Sequence, residues 1–264
     1  YEIAQCLVGS EMCIRDRVCL LKIDVMGVLF DNVTMDQALD RAEDLIKAKT
    51  GAYCVTPNGE IVWEAMHSGA FRQILNDADL VLPDGASVVI GSRILERPLL
   101  EKVAGIEFAE RLVQRLASRG GRLYLLGGRP GIAERAAENL TVKYPGLQIC
   151  GTADGYFQDE AAVVTRIGSA APDVVFVCLG APKQERFMAA HREQLHAGLL
   201  IGLGGSLDGF AGAVKRAPGW MIRCNLEWLY RLLREPSRLG RMMRLPKFMR
   251  ACKKQRRLEA GRGK

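Results

Sequence analysis

Asp173-Val-Val-Phe-Val-Cys-Leu-Gly-Ala-Pro-Lys-Gln-Glu-Arg-Phe-Met-Ala-Ala-His-Arg-Glu-Gln-Leu-His-Ala-Gly-Leu-Leu-Ile-Gly-Leu203 decides the fold. Two short apolar runs, Val174–Leu179 and Leu199–Leu203, flank a helical pattern over Gln184–Leu195. Short runs that are apolar at every position suit strands buried on both faces. A helix between two such strands is the crossover unit of a parallel sheet.

The same alternation extends outward in both directions. Further strand-like runs stand at Ala52–Val55, Leu80–Leu82 and Arg122–Leu126, and Leu20–Phe30 reads as one strand near the start. Helical spacing appears at Ile106–Leu116, Ile132–Tyr144 and Glu160–Ile167, and Ala86–Leu95 follows a turn. Thr34-x-x-Gln37 is a capping box before Ala38, Leu39, Ala42, Leu45 and Ile46, which recur on one helical face. The expected class is α/β, Rossmann-like, with a mostly parallel sheet and helices on both faces.

The 264 residues are 48% hydrophobic and 25% charged, a globular balance that excludes a disordered chain. No apolar run approaches the roughly 18–20 residues of a membrane-spanning helix. The eight cysteines include no Cys-x-x-Cys pair, so neither a zinc site nor a disulfide framework is expected. A cytoplasmic setting follows as the default. His67, His191 and His196 lack metal-ligand spacing. Charge is uneven: residues 215–264 hold 16 Lys and Arg against 3 Asp and Glu, a net +13, while the remainder carries −6. This basic segment places Trp220, Cys224 and Trp228 on one helical face opposite arginines, the pattern of a helix lying in a membrane interface. The same apolar face also suits packing on the body or on a neighbouring subunit. The expected division is a segment 1–17 outside the native fold, an α/β catalytic domain 18–214, and a basic, amphipathic helical appendage 215–264. The stretch Cys6–Arg17 resembles a translated sequencing-adapter peptide and is set aside from fold reasoning.

Ligands of parallel sheets bind beyond the carboxyl ends of the strands, so the loops there hold the candidates. Thr56-Pro-Asn58-Gly59 offers neutral hydrogen-bonding groups suited to sugar hydroxyls, or a turn with a helix cap. Asp84, in Pro83-Asp84-Gly85, is a candidate general base or an N-cap. Gly127-Gly128-Arg129-Pro130-Gly131 precedes a helix, where backbone N–H groups and Arg129 favour a diphosphate; a strand-to-helix turn is the alternative. It is neither a P-loop nor G-x-G-x-x-G, which speaks against ATP or a dinucleotide. Gln184 follows one strand, and Asp208, placed to hold ribose or uracil, follows another.

Seven stretches in order resemble the WecG/TagA/CpsF family of bacterial glycosyltransferases, glycosyltransferase family 26. They are Thr56-Pro-Asn58, Pro83-Asp84-Gly85, Gly127-Gly-x-Pro-Gly131, Gly151-x-x-x-Gly-Tyr-Phe157, Gly180-Ala-Pro-Lys-Gln-Glu185, Val214-Lys-Arg-Ala-Pro218 and Leu226-Glu-Trp-Leu-Tyr-Arg-Leu232. The resemblance spans about Leu21 to Phe248. It implies an inverting transfer of an N-acetylmannosamine-type sugar from UDP to N-acetylglucosamine on a polyprenyl diphosphate. The setting would be the cytoplasmic membrane face, in teichoic acid or other surface-polysaccharide synthesis.

By position, Asp84 matches the family's general base, Thr56 and Asn58 match residues near the reacting sugars, and Gln184 matches a polar pocket residue. The glycine loop (Gly127, Gly128, Arg129, Gly131) and Asp208 are candidates for UDP contacts. Lys102 stands where the family more often has Arg, which keeps the charge but loses the planar fork on the diphosphate. Arg216, Arg223, Arg231 and Arg234 are candidates to neutralise the diphosphate or meet anionic lipid. Asp-x-Asp is read as missing from the whole chain, so a metal bridging the diphosphate is not expected, nor any other cofactor. The expected partners are the UDP-sugar, the lipid-linked acceptor and an anionic membrane surface. Nucleic acid is not expected, for want of a reader motif. The competing reading is a non-catalytic, nucleotide- or RNA-binding peripheral protein, which would bind UDP or RNA without turnover.

Overall fold

A computed structural model describes residues 21–214, 221, 230, 240 and 243–262. Segment 1–17, the Trp220–Trp228 helical face and Arg216, Arg223, Arg231 and Arg234 lie outside these residues.

The run Leu20–Phe30 is not one strand. It forms a hairpin, β1 (Lys22–Val25) and β2 (Val28–Asp31), paired antiparallel. Met26 and Gly27 turn the chain with φ of 58° and 89°, the positive values a two-residue hairpin loop needs. Asp24 Oδ1 accepts the Gly27 N–H at 2.7 Å and closes the turn. The hairpin stays outside the main sheet and is tied to it by Asp31, whose Oδ2 accepts the Val81 N–H at 2.7 Å.

The main sheet has six strands, all parallel, in the order β4 (Leu80–Val81), β3 (Ala52–Val55), β8 (Leu199–Gly202), β7 (Val174–Cys178), β5 (Arg122–Gly127), β6 (Gln148–Ala153). Alternation along each strand feeds two cores. From β7, Val174, Phe176 and Cys178 enter one core, and Val175 and Val177 enter the other. The first core is roofed by α1 (Met35–Ala48), α5 (Gly105–Ala117) and α6 (Ile132–Lys143). The second is covered by the hairpin, α2 (Gly59–His67), α3 (Gly69–Asn76), α4 (Ala86–Ile94), α7 (Glu160–Ala170) and α8 (Lys183–His191). The Thr34–Gln37 capping box forms reciprocally at the start of α1. Short α9 (Ser206–Phe210) follows β8.

Helix α10 (Arg244–Arg262) packs on α2 and α4. Phe248 and Cys252 are fully buried there, and Gly91 of α4 makes the room. A Cβ at position 91 would stand 2.9 Å from Phe248 Cζ. Among the described residues, no helix is long and apolar enough to cross a membrane.

Candidate active site

A cleft of about 650 Å³ opens at the carboxyl ends of β4, β3, β8 and β7. The loops that wall it are stitched to one another by main-chain bonds. The Leu82 N–H donates to Val55 C=O at 2.9 Å, and the Asp84 N–H to Pro57 C=O at 3.2 Å. The Val103 N–H donates to Pro83 C=O at 3.0 Å, and Ser87 Oγ accepts the Gly59 N–H at 3.2 Å. Thr56, Asn58, Asp84 and Lys102 are thereby held on one connected rim, and all four line the cleft.

Each of these side chains has a definite setting. Thr56 is buried, and its hydroxyl donates to Gly202 C=O at 2.9 Å, which locks the β3 loop to the end of β8. Asn58 is the N-cap of α2: its Oδ1 accepts from the Glu60 and Ile61 N–H groups. The carboxamide thus performs the capping role and lines the cleft at once. Asp84 is half-buried and stands one residue before the N-cap of α4, which is Gly85 at φ 98°. Asp84 lines the same cleft as Asn58, Lys102 and Gln184.

Across the cleft, Gln184 is buried at the start of α8. Its Oε1 accepts the Gly204 N–H at 2.9 Å, and its Nε2 donates to Glu185 Oε1 at 2.9 Å. Asp208 on α9 lines the same wall. Cys178 contributes to the lining as a neutral thiol, since burial pushes it up to about 12.

The glycine loop lies elsewhere. Gly127, Gly128, Arg129 and Gly131 do not line this cleft, because β5 stands one strand beyond β7. The loop's polar backbone turns inward: the Gly128 N–H donates to Cys178 C=O, and Gly128 C=O accepts the Gly155 N–H at 2.9 Å. Gly127, at φ 130°, lies so close to β7 that a Cβ would stand 2.2 Å from Cys178 O. Gly127 thus serves the approach of two strands, and Gly128 holds Gly155 beside exposed Tyr156, which lines the cleft rim.

Several lining residues carry no signal in the sequence reading. Glu60, Ile61 and Glu64 come from α2, whose helical spacing after the Asn58 cap was there to be found. Arg244 and Leu245 come from α10, and Arg244 Nη1 binds Glu64 Oε2 at 3.0 Å. The described lining carries Glu60, Glu64, Asp84 and Asp208 against Lys102 and Arg244.

The chain does contain one Asp-x-Asp triplet, Asp77-Ala78-Asp79, and it leads into β4 from the opposite end of the sheet. Asp79 Oδ2 accepts from the Tyr53 N–H and from Arg192, and Asp77 Oδ1 accepts from Gln73. Among the described residues, no group of three or more His, Cys, Asp or Glu could hold a metal ion.

The family model for the WecG/TagA/CpsF glycosyl transferases matches residues 23–262. The chain is 39% identical over 210 residues to an N-acetylglucosaminyldiphosphoundecaprenol N-acetyl-beta-D-mannosaminyltransferase of Bacillus spizizenii, covering 80% of this chain and 82% of that protein. Proteins of the same name from Bacillus subtilis and Staphylococcus aureus (strain MW2) are 38% and 34% identical. Those matches cover 85% and 90% of this chain and 88% and 94% of the relatives. With the family match running from the hairpin to α10, the chain belongs to the WecG/TagA/CpsF family of glycosyltransferases.

Proposed function

We propose that the protein transfers an N-acetylmannosamine-type sugar from UDP to N-acetylglucosamine carried on a polyprenyl diphosphate, with inversion. The observation that carries this reading is the placement of Asp84, Asn58, Lys102 and Gln184 around one cleft in a chain so similar to enzymes of that name.

In this reading Asp84 takes the proton of the acceptor hydroxyl as its oxygen attacks the anomeric carbon. The bond from that carbon to the phosphate oxygen breaks, and its electrons leave with UDP. Asn58 and Gln184 orient the reacting sugars, and Lys102 faces the diphosphate. Asp208 holds the nucleoside. Thr56 acts by holding the loop on which Asn58 sits. The glycine loop supports Tyr156 at the rim through the Gly155 N–H that Gly128 C=O accepts.

The described lining is acidic on balance, and Arg244 is engaged by Glu64, so the departing diphosphate needs further cations. Arg216, Arg223, Arg231 and Arg234 supply that charge in place of a metal, and the basic segment docks on anionic lipid at the inner membrane face.

The test is UDP release from UDP-N-acetylmannosamine, with and without the lipid-linked acceptor, for the native protein and Asp84→Asn. Acceptor-dependent release that falls at least about 100-fold in the variant is the expected result. Full activity in the variant removes Asp84 as the base, and absence of release by the folded native protein with anionic lipid present overturns the donor assignment.

A further inference from the structure

Glu185 stands beside Gln184 but does not line the cleft, and it is 1% exposed. Its Oε1 accepts from Gln184 Nε2, while its Oε2 is buried with no hydrogen-bond partner among the described residues. An ionised carboxylate in that setting is costly. Burial raises its carboxyl above the ordinary value, outweighing the hydrogen bonds from Gln184 and the backbone that favour the charge, and Glu64 on α2 adds to the rise. Nothing on the strands that α8 packs against opposes this. β3, β7 and β8 carry no charged residue, and Arg72 of α3 lies against Gly27.

Only one orientation of the Gln184 carboxamide satisfies both neighbours. Turned over, its oxygen would face Glu185 Oε1, and its NH2 would face the Gly204 N–H. Gly202 packs against the same amide, since a Cβ there would stand 3.0 Å from Gln184 Nε2. The acceptor at position 185 therefore selects the amide orientation, and the amide in turn holds the loop running from Gly204 to Asp208.

We propose that Glu185 is a positioning residue of the transfer site, fixing the Gln184 carboxamide and through it the Gly204–Asp208 loop on which the donor nucleotide rests. The proposal builds on the glycosyl-transfer reading above, in which that loop meets UDP.

Two variants separate positioning from mere packing. Glu185→Gln keeps a carbonyl acceptor for Gln184 Nε2 in the same shape. Glu185→Met fills the space without an acceptor: it removes the buried, half-satisfied carboxyl but leaves Gln184 Nε2 unpartnered, so the two effects oppose and the melting temperature should stay within about 5 °C of the native one. UDP affinity by titration calorimetry and donor KM should worsen about tenfold in Glu185→Met, the effect of one lost buried hydrogen bond, with a smaller change in kcat. Glu185→Gln should stay within about threefold of the native values.

A folded Glu185→Met protein that binds UDP like the native one overturns the proposal. So does a Glu185→Gln protein that loses as much as Glu185→Met. If the native protein itself neither binds UDP nor releases it, the glycosyl-transfer reading fails instead, which the native control reveals before any variant is compared.

Discussion

Replacing Thr56 with Val changes one atom of consequence. Valine keeps the branched shape at a position only 7% exposed, and what disappears is the hydroxyl that donates to Gly202 C=O at 2.9 Å. That carbonyl then lacks its side-chain donor inside the protein, at a cost of about 1–3 kcal/mol. For a chain of this size, each kcal/mol lowers the melting temperature by about 2–4 °C, so the expected drop is about 2–12 °C. The space offers little relief, since Gly105 packs so close that a Cβ there would lie 3.2 Å from Thr56 Oγ1. Thermal melts of Thr56→Val and Thr56→Ser, run beside donor kinetics, test the point: the serine variant retains the bond and should recover most of the loss. A valine variant melting within about 1 °C of the native protein would refute the assignment of Thr56 as the tie between β3 and β8. A lowered melting point with undiminished kcat/KM would confine Thr56 to structure.

Phe248→Ala empties a fully buried site between α10 and α4, which costs about 3–5 kcal/mol of helix docking. Limited proteolysis should then cut within 243–262 first, and transfer should fall with Arg244 and Leu245 withdrawn from the cleft; resistance equal to the native protein contradicts the packing described. Glu185 also sets a pH slope. Its carboxyl lies above the ordinary 4.5 when folded, so the folded state holds its proton more tightly. Its contribution is greatest at low pH and is lost as pH rises from 4.5 toward the raised value. Chemical denaturation across that range should show this slope in the native protein and its absence in Glu185→Gln.

The sheet was legible because its central strands are apolar at every position, as in Val174–Cys178, and a doubly covered parallel strand can be little else. Edges were harder. β6, Gln148–Ala153, is half-buried along much of its length and presents no continuous apolar run, so it passed unnoticed. The hairpin was hidden by the opposite effect. Met26-Gly27 interrupts an apolar run too briefly for periodicity to register, although Gly27 marks the turn.

For the cleft, residue type and strand-end position brought Thr56, Asn58, Asp84, Gln184 and Asp208 to one place, and the family resemblance added Lys102. The glycine loop shows where such reading stops. Glycines at a strand end announce a close approach of backbone, but not whether the neighbour is a phosphate or, as with Gly127 and Cys178, another strand. Arg244 was unreadable for a different reason: its partnership with Glu64 depends on how α10 returns across the body.

That return has a bearing on how the protein comes into being. Glu64 and Arg244 are separated by 180 residues, yet they meet in one wall. Domains form from the N-terminal side as synthesis proceeds, and the six strands of the sheet all precede residue 203. A nascent chain can therefore possess its whole sheet while the cleft still lacks a side. Only emergence of α10 from the ribosome permits that side to be added. Competence then follows synthesis of α10 rather than completion of the sheet, which keeps a molecule that has only its core from engaging substrate.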